Sequence, residues 1–126
     1  MKVNKIYDTI VKKEPILKGW SGDKKFYIET SCGERLLLRV SEISKYDRRK
    51  SEYDMMERVA ALGVPMCKPI EFGICDDGVY FIQSWVDGKD LEDILPALSD
   101  TEQYLLGFKS GEILRRMHNI FICLYN

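Results

Sequence analysis

The spacing of hydrophobic residues near the start of the chain changes at Pro15. Before it, Ile6, Ile10 and Val11 recur at helical intervals. This spacing predicts a helix over residues 4–13. After Pro15, short apolar runs separated by glycine-containing turns are typical of strands. They predict three strands, over residues 16–18, 25–30 and 36–40, which would form an antiparallel meander.

A longer amphipathic segment follows these strands. Tyr53, Met56 and Val59 lie on one stripe of a charged, helix-favouring stretch. The stripe predicts a helix over residues 44–62, which ends at Gly63. Further along, a turn with the Asp-Gly pair that favours hairpins joins two more apolar runs. These runs predict strands over residues 70–74 and 79–85.

The last predicted element begins at a capping box. Ser99 and Glu102 have the spacing at which each side chain bonds the backbone of the other, and a helix is predicted from here through His118. The fold class predicted from these elements is α+β. It consists of a five-stranded antiparallel sheet with one packed helix and a C-terminal helical extension.

Composition and charge narrow the classes of function. The chain has 126 residues, of which 45% are hydrophobic, and a formal net charge of −1. Such a balance gives no general attraction to nucleic acid or to an anionic membrane, so neither is predicted as a partner. The N-terminus lacks the apolar core of a signal peptide, and we expect a cytoplasmic protein. The four cysteines form no CxxC pair and the single histidine has no second ligand nearby, so no metal site is predicted.

Two charged residues stand out by their positions. The period of two along a strand places Arg39 on the same face as Leu37. Helical spacing places Glu52 beside the buried stripe of its helix, where a carboxylate needs a partner. Arg39 is one candidate partner, and Arg48 or Arg49, one turn back, are the local alternatives. We predict an ion pair between Arg39 and Glu52.

Six stretches carry a resemblance to a known family. They read LKGWSGD at 17–23, LLRV at 37–40, EYDMM at 52–56, VPMCKP at 64–69, IQSWVDG at 82–88 and LRRMH at 114–118. In this order and spacing they resemble the N-terminal lobe of the aminoglycoside phosphotransferase family, whose fold is similar to that of protein kinases. The resemblance extends over roughly residues 16–118 and implies a kinase-like N-lobe.

The resemblance implies a site for ATP. Its contacts would come from Ser21, Gly22, Leu37, Arg39, Glu52, Ser84 and Val86. The glycine-containing loop with the Ser21 hydroxyl would fold over the phosphates. Arg39 stands where the family has a lysine that reaches the α- and β-phosphates, a change that keeps the charge but alters the reach. Leu37 would cover the adenine, which the carbonyl of Ser84 and the N–H of Val86 would recognise.

The same resemblance implies a division of the chain. Residues 1–86 would be the nucleotide-binding lobe, and residues 87–126 the hinge and first helix of a truncated second lobe. The His-Gly-Asp loop and the later metal-binding Asp of the family do not occur in this sequence. We therefore assign no catalytic residue, and His118 is interpreted as structural.

The expected function is that of an N-terminal fragment of an ATP-dependent phosphotransferase, inactive alone. In the full family, with Mg²⁺, the γ-phosphate passes to a hydroxyl of a small molecule, and the resemblance suggests an aminoglycoside antibiotic as this acceptor. The alternative is a non-catalytic module that binds a nucleotide or another protein. Nucleotide binding by this chain is expected to be weak or undetectable, and its apolar C-terminal helix is expected to form a homodimer.

Overall fold

The computed structural model describes residues 5–19 and 22–125, with side chains described as far as residue 120. The strands are β1 (Ile10–Ile16), β2 (Lys24–Thr30), β3 (Arg35–Ser41), β4 (Pro69–Cys75) and β5 (Gly78–Ser84). The helices are α1 (Tyr46–Ala60), α2 (Leu91–Ile94) and α3 (Asp100–Tyr125). Short 3-10 turns span Ile6–Thr9, Ile43–Lys45 and Leu95–Ala97.

The five strands form one antiparallel sheet in the order β1-β2-β3-β5-β4. Because β3 pairs with β5, the chain leaves the sheet after β3, forms α1 and returns along β4. The turn between β4 and β5 depends on Gly78, whose φ of 134° suits glycine. A side chain there would also collide with the carbonyl oxygen of Ser41. This architecture confirms the predicted α+β fold of a kinase-like N-lobe with a C-terminal helix.

One face of the sheet carries the buried core. The core side chains are Ile28, Leu36, Leu38, Val40, Tyr80 and Ile82. The N-terminal 3-10 turn covers this face, with the rings of Tyr7 and Tyr80 4.4 Å apart. The Glu71 carboxylate accepts hydrogen bonds from the N–H groups of Ile6, at 2.9 Å, and Tyr7, at 3.0 Å, and from the Tyr80 hydroxyl at 3.1 Å. Burial and this carboxylate raise the pKa of Tyr80, so its hydroxyl remains a donor.

The opposite face of the sheet lies against α1. The ring of Tyr53 on this helix is 5.4 Å from that of Phe72 and 6.3 Å from that of Phe81. Arg39 shares the face with Phe81, its cross-strand partner on β5. Polar side chains of β3 therefore lie next to α1, apart from the hydrophobic core.

The predicted leading helix over residues 4–13 is wrong. The part of this segment that the structure describes contains only the 3-10 turn, and β1 begins at Ile10, earlier than the predicted strand. Pairing with β2 satisfies the backbone hydrogen bonds of these residues within the sheet, whereas a short, isolated helix is only marginally stable in water. Pro15 is accommodated because β1 is an edge strand. At the other end of the sheet, β5 stops at Ser84, one residue before the predicted Trp85.

The long helix α3 begins at the predicted capping box. Ser99 donates its N–H to the Glu102 carboxylate at 3.0 Å, and Glu102 donates its N–H to the Ser99 hydroxyl at 3.1 Å. These bonds with Ser99 lower the pKa of Glu102. Partly buried apolar side chains on the helix are Leu106, Ile113, Met117 and Ile120. Within the described part of the chain, no helix has the length and apolar character needed to cross a bilayer.

Candidate nucleotide site

The loop between β1 and β2 approaches the face of the sheet that carries α1. Ser21, the predicted phosphate ligand of this loop, lies outside the described residues. Gly19 has a φ of 112°, which the turn obtains at little cost from glycine. Gly22 is exposed, whereas the next residue, Asp23, is buried. The described end of this loop therefore passes from an exposed glycine to an enclosed carboxylate.

Arg39 projects from the middle of the sheet toward this loop. Its Nη2 lies 3.5 Å from Oδ2 of Asp23, and its side chain is 28% exposed. The guanidinium carbon lies 5.2 Å from the centre of the Phe81 ring, within the range of a cation–π contact. Asp23 and the Phe81 ring are therefore two of the contacts that orient this partly exposed cation.

Arg49 is the side chain that joins α1 to the loop. Its Nη2 lies 3.1 Å from Oδ1 of Asp23, and its Nε donates to the Ser41 hydroxyl at 3.0 Å. Burial alone would raise the pKa of Asp23, but hydrogen bonds from Ser41 and Arg49 and the positive charges of Arg49 and Arg39 lower it. Asp23 is therefore a carboxylate at neutral pH.

The predicted ion pair between Arg39 and Glu52 is wrong. Glu52 instead bonds Arg49, with Nη1 to Oε2 at 2.9 Å, and lies 3.4 Å from the Nε of Arg48. These are the local alternatives one turn back on the same helix. The Glu52 side chain is 49% exposed, so water solvates the carboxylate and no strand residue is needed to pair it. The ion pair that reaches from α1 across to the sheet is instead the one between Arg49 and Asp23, which directly precedes β2.

The other end of the predicted site lies where β5 runs into the hinge. Ser84 is tied to Lys68, donating its N–H at 2.9 Å and accepting the Lys68 N–H on its hydroxyl at 2.8 Å. Trp85 packs edge-on against Tyr27 with ring centres 4.8 Å apart. Val86 is 60% exposed. The hinge at Val86 is thus exposed.

Ion pairs connect the hinge to the sheet. Arg35 at the start of β3 pairs with Asp87 through two guanidinium nitrogens, and this pairing lowers the pKa of Asp87. Lys18 at the end of β1 lies 2.8 Å from Asp90. A cavity of about 570 Å³ lies at this second contact, lined by Lys18, Gly19, Asp90, Glu92 and Asp93. This cavity, between the β1–β2 loop and the hinge region, is therefore lined mainly by acidic side chains.

The structure brings only part of the predicted site together. Arg39 and Leu37 share one face of β3, and Ser84 and Val86 lie at the hinge beyond it. Glu52 pairs instead with Arg49 and Arg48 on its own helix. Contact of these residues with a nucleotide remains a prediction.

Asp23 and Arg49 were missed as site residues by the sequence reasoning. A signal for Arg49 was present, because it lies one helical turn before Tyr53 and so falls on the buried stripe of α1. A buried guanidinium calls for a carboxylate across the interface. Asp23, directly before β2, supplies it.

The fold defines the class of this protein. A five-stranded antiparallel sheet with a helix against one face, followed by a C-terminal helix, is the architecture of a kinase-like N-lobe. A family model described as the phosphotransferase enzyme family matches residues 13–121, and the chain belongs to this family. Comparison with curated proteins gives no match.

Proposed function

We propose that this chain is the nucleotide-binding lobe of an ATP-dependent phosphotransferase that acts on a hydroxyl of a small molecule. Membership of the phosphotransferase family supports the reaction class. The observation that carries the proposal is Arg39, a cation on the central strand that is oriented by Asp23 and Phe81 yet remains 28% exposed. Phosphate binding in such lobes relies on a cation at this position.

The chemistry of the described residues indicates which parts of the reaction they could support. Phosphoryl transfer needs a carboxylate to orient the attacking hydroxyl and oxygen ligands for Mg²⁺. Among the described residues, no group of three or more His, Cys, Asp or Glu side chains is placed to hold a metal ion. These residues therefore do not fit a magnesium site by themselves. In our proposal they bind and orient the nucleotide, and groups outside this sequence supply the metal ligands and the catalytic carboxylate.

The substrate and the cellular location are part of the proposal. An aminoglycoside is the acceptor suggested by the resemblance, and the protein would act in the cytoplasm. Acceptor recognition depends on residues outside the lobe described here. An assay of ADP release with kanamycin, choline and homoserine is expected to show no turnover by residues 1–126. Steady turnover that Arg39→Ala abolishes would contradict the proposal that groups outside this sequence supply the metal ligands and the catalytic carboxylate.

Nucleotide binding can be tested by saturation-transfer NMR with ATP at millimolar concentration. Wild-type protein is expected to bind weakly, because only one side of the nucleotide is contacted. Arg39→Gln is expected to reduce the affinity about tenfold, the usual value of one charge-assisted hydrogen bond. Arg48→Gln is the matched control, since the Arg48 side chain is 76% exposed on α1. Equal affinities of the two variants would refute the assignment of Arg39.

The exposed face of α3 favours a second candidate, a protein-interaction module. Its large apolar side chains include Tyr104, 69% exposed, and Phe108, 55% exposed. Their rings stack with centres 6.4 Å apart. Leu105 and Leu114 of the same helix are each 49% exposed. Apolar groups clustered in this way favour association, and we retain the prediction of a homodimer through this helix.

A further inference from the structure

Asp23 occupies an unusual position for a loop carboxylate. It ends the loop between β1 and β2, yet its side chain is 1% exposed. Burying a carboxylate is costly unless cations and hydrogen bonds compensate it. Each of its oxygens faces a different guanidinium, Oδ1 that of Arg49 at 3.1 Å and Oδ2 that of Arg39 at 3.5 Å.

We propose that Asp23 is a positioning residue that holds Arg39 in place for a nucleotide phosphate, with Arg49 as its anchor on α1. The proposal rests on the nucleotide-binding function proposed above. It deepens that function by assigning the orientation of the phosphate-binding cation to a loop carboxylate. Glu52, the helix carboxylate expected in this role, acts instead on Arg49.

The four side chains form a row of alternating charge. Glu52 bonds Arg49 through Nη1, Arg49 bonds Asp23 through Nη2, and Asp23 bonds Arg39. Within this row, hydrogen bonding to Arg49 and the positive charges of Arg49 and Arg39 favour the charged form of the buried Asp23 carboxyl and lower its pKa. The Arg49 side chain is only 11% exposed, so its position is fixed by α1 and by the hydroxyl of Ser41. Arg49 thereby gives Asp23 a rigid attachment to the helix.

The geometry around Arg39 orients the guanidinium and leaves it accessible. Asp23 engages Nη2, and the ring of Phe81 lies 5.2 Å from the guanidinium carbon. A planar guanidinium fixed at an edge and against a ring has few remaining orientations, which lowers the entropic cost of binding a phosphate.

The first test observes Arg39 without any ligand. The ¹⁵N guanidinium NMR signals of Arg39 in the full chain report how freely its side chain rotates. We expect slow rotation in the wild type and fast rotation, with averaged Nη signals, in Asp23→Asn. Asp23→Glu is expected to restore part of the restriction, because it keeps the carboxylate. Asp47→Asn, an exposed carboxylate in the first turn of α1, is the matched control and should leave Arg39 unchanged.

The second test compares ADP with adenosine, which lacks phosphates. If Asp23 positions the phosphate ligand, Asp23→Asn should lower the affinity for ADP about tenfold and leave that for adenosine unchanged. An equal loss for both ligands would indicate a merely structural role and overturn the inference. Unchanged Arg39 signals in a folded Asp23→Asn protein would overturn it as well.

The two tests separate this inference from the proposed function. If the wild type binds neither ADP nor adenosine, the proposed function fails, while the guanidinium signals still decide whether Asp23 holds Arg39. Should Asp23→Asn not fold, Ser41→Ala removes a hydrogen bond to Asp23 and the hydroxyl that Arg49 contacts. The same faster rotation of Arg39 is then expected, and its absence would overturn the inference.

Discussion

Removing the guanidinium of Arg49 should destabilise the protein far more than removing that of its neighbour Arg48. The two residues are adjacent on α1, but their side chains are 11% and 76% exposed. Arg49→Ala leaves the buried Asp23 without its closer cation, whereas Arg48→Ala removes one solvated ion pair with Glu52. The comparison holds residue type and helix position nearly constant.

The expected magnitude follows from what remains around Asp23. Breaking a buried ion pair by removing one partner costs about 3–5 kcal/mol. Ser41 and Arg39 still contact the carboxylate in Arg49→Ala, so we expect about 2–4 kcal/mol. Arg48→Ala should change the free energy of unfolding by no more than about 0.5 kcal/mol. The difference corresponds to a fall in Tm on the order of 10 °C for a chain of this size.

Urea unfolding followed by circular dichroism provides the assay. The midpoints of Arg49→Ala and Arg48→Ala are compared with the wild type, with m-values checked for a change in the unfolded state. Equal midpoints for the two variants would refute the reasoning that Asp23 depends on Arg49.

Three further outcomes are expected. Glu71→Gln should cost about 1–3 kcal/mol, because three donors lose a charged acceptor, whereas Glu57→Gln on the exposed side of α1 should cost little in the same urea assay. The pKa of Asp23 is lowered in the folded state, so the stability that this carboxylate contributes is present above its ordinary pKa of about 4. That stability is lost as the pH falls through the lower pKa of the folded state. Asp23→Asn should therefore make Tm fall less steeply in an acid titration. Phe108→Lys should shift light-scattering mass from dimer to monomer at high concentration, and a wild type that is monomeric throughout would contradict the homodimer prediction.

Much of the sheet could be predicted because its inner strands alternate clearly. On β3, Leu36, Leu38 and Val40 are buried, and Arg39 lies on the opposite face, as the period of two requires. Strand β1 could not be placed correctly. Five of its seven residues are exposed, so it carries little alternation, and its pairing with β2 is a long-range contact that local spacing does not encode.

The candidate site was predictable only in part for a related reason. The position of Arg39 follows from strand periodicity, but its partner depends on which side chains meet across the loop, β3 and α1. Helical spacing places Glu52 beside the buried stripe of α1, but its Oε2 accepts a hydrogen bond at 2.9 Å from Nη1 of Arg49 on the same helix. Local i to i+3 pairs compete with long-range pairs, and only the packed structure shows that Asp23 takes the long-range role.

The central claim of the proposed function is that the loop, β3 and the hinge together face a nucleotide. A titration of uniformly ¹⁵N-labelled protein with ATP, followed through its backbone amide signals, tests this claim at each residue. We predict saturable shifts at residues 22–25, at Arg39 and Ser41, and at residues 84–86, with an affinity on the order of millimolar. Saturable shifts confined to α3 or to the core face of the sheet, or no shifts at millimolar ATP, would contradict it.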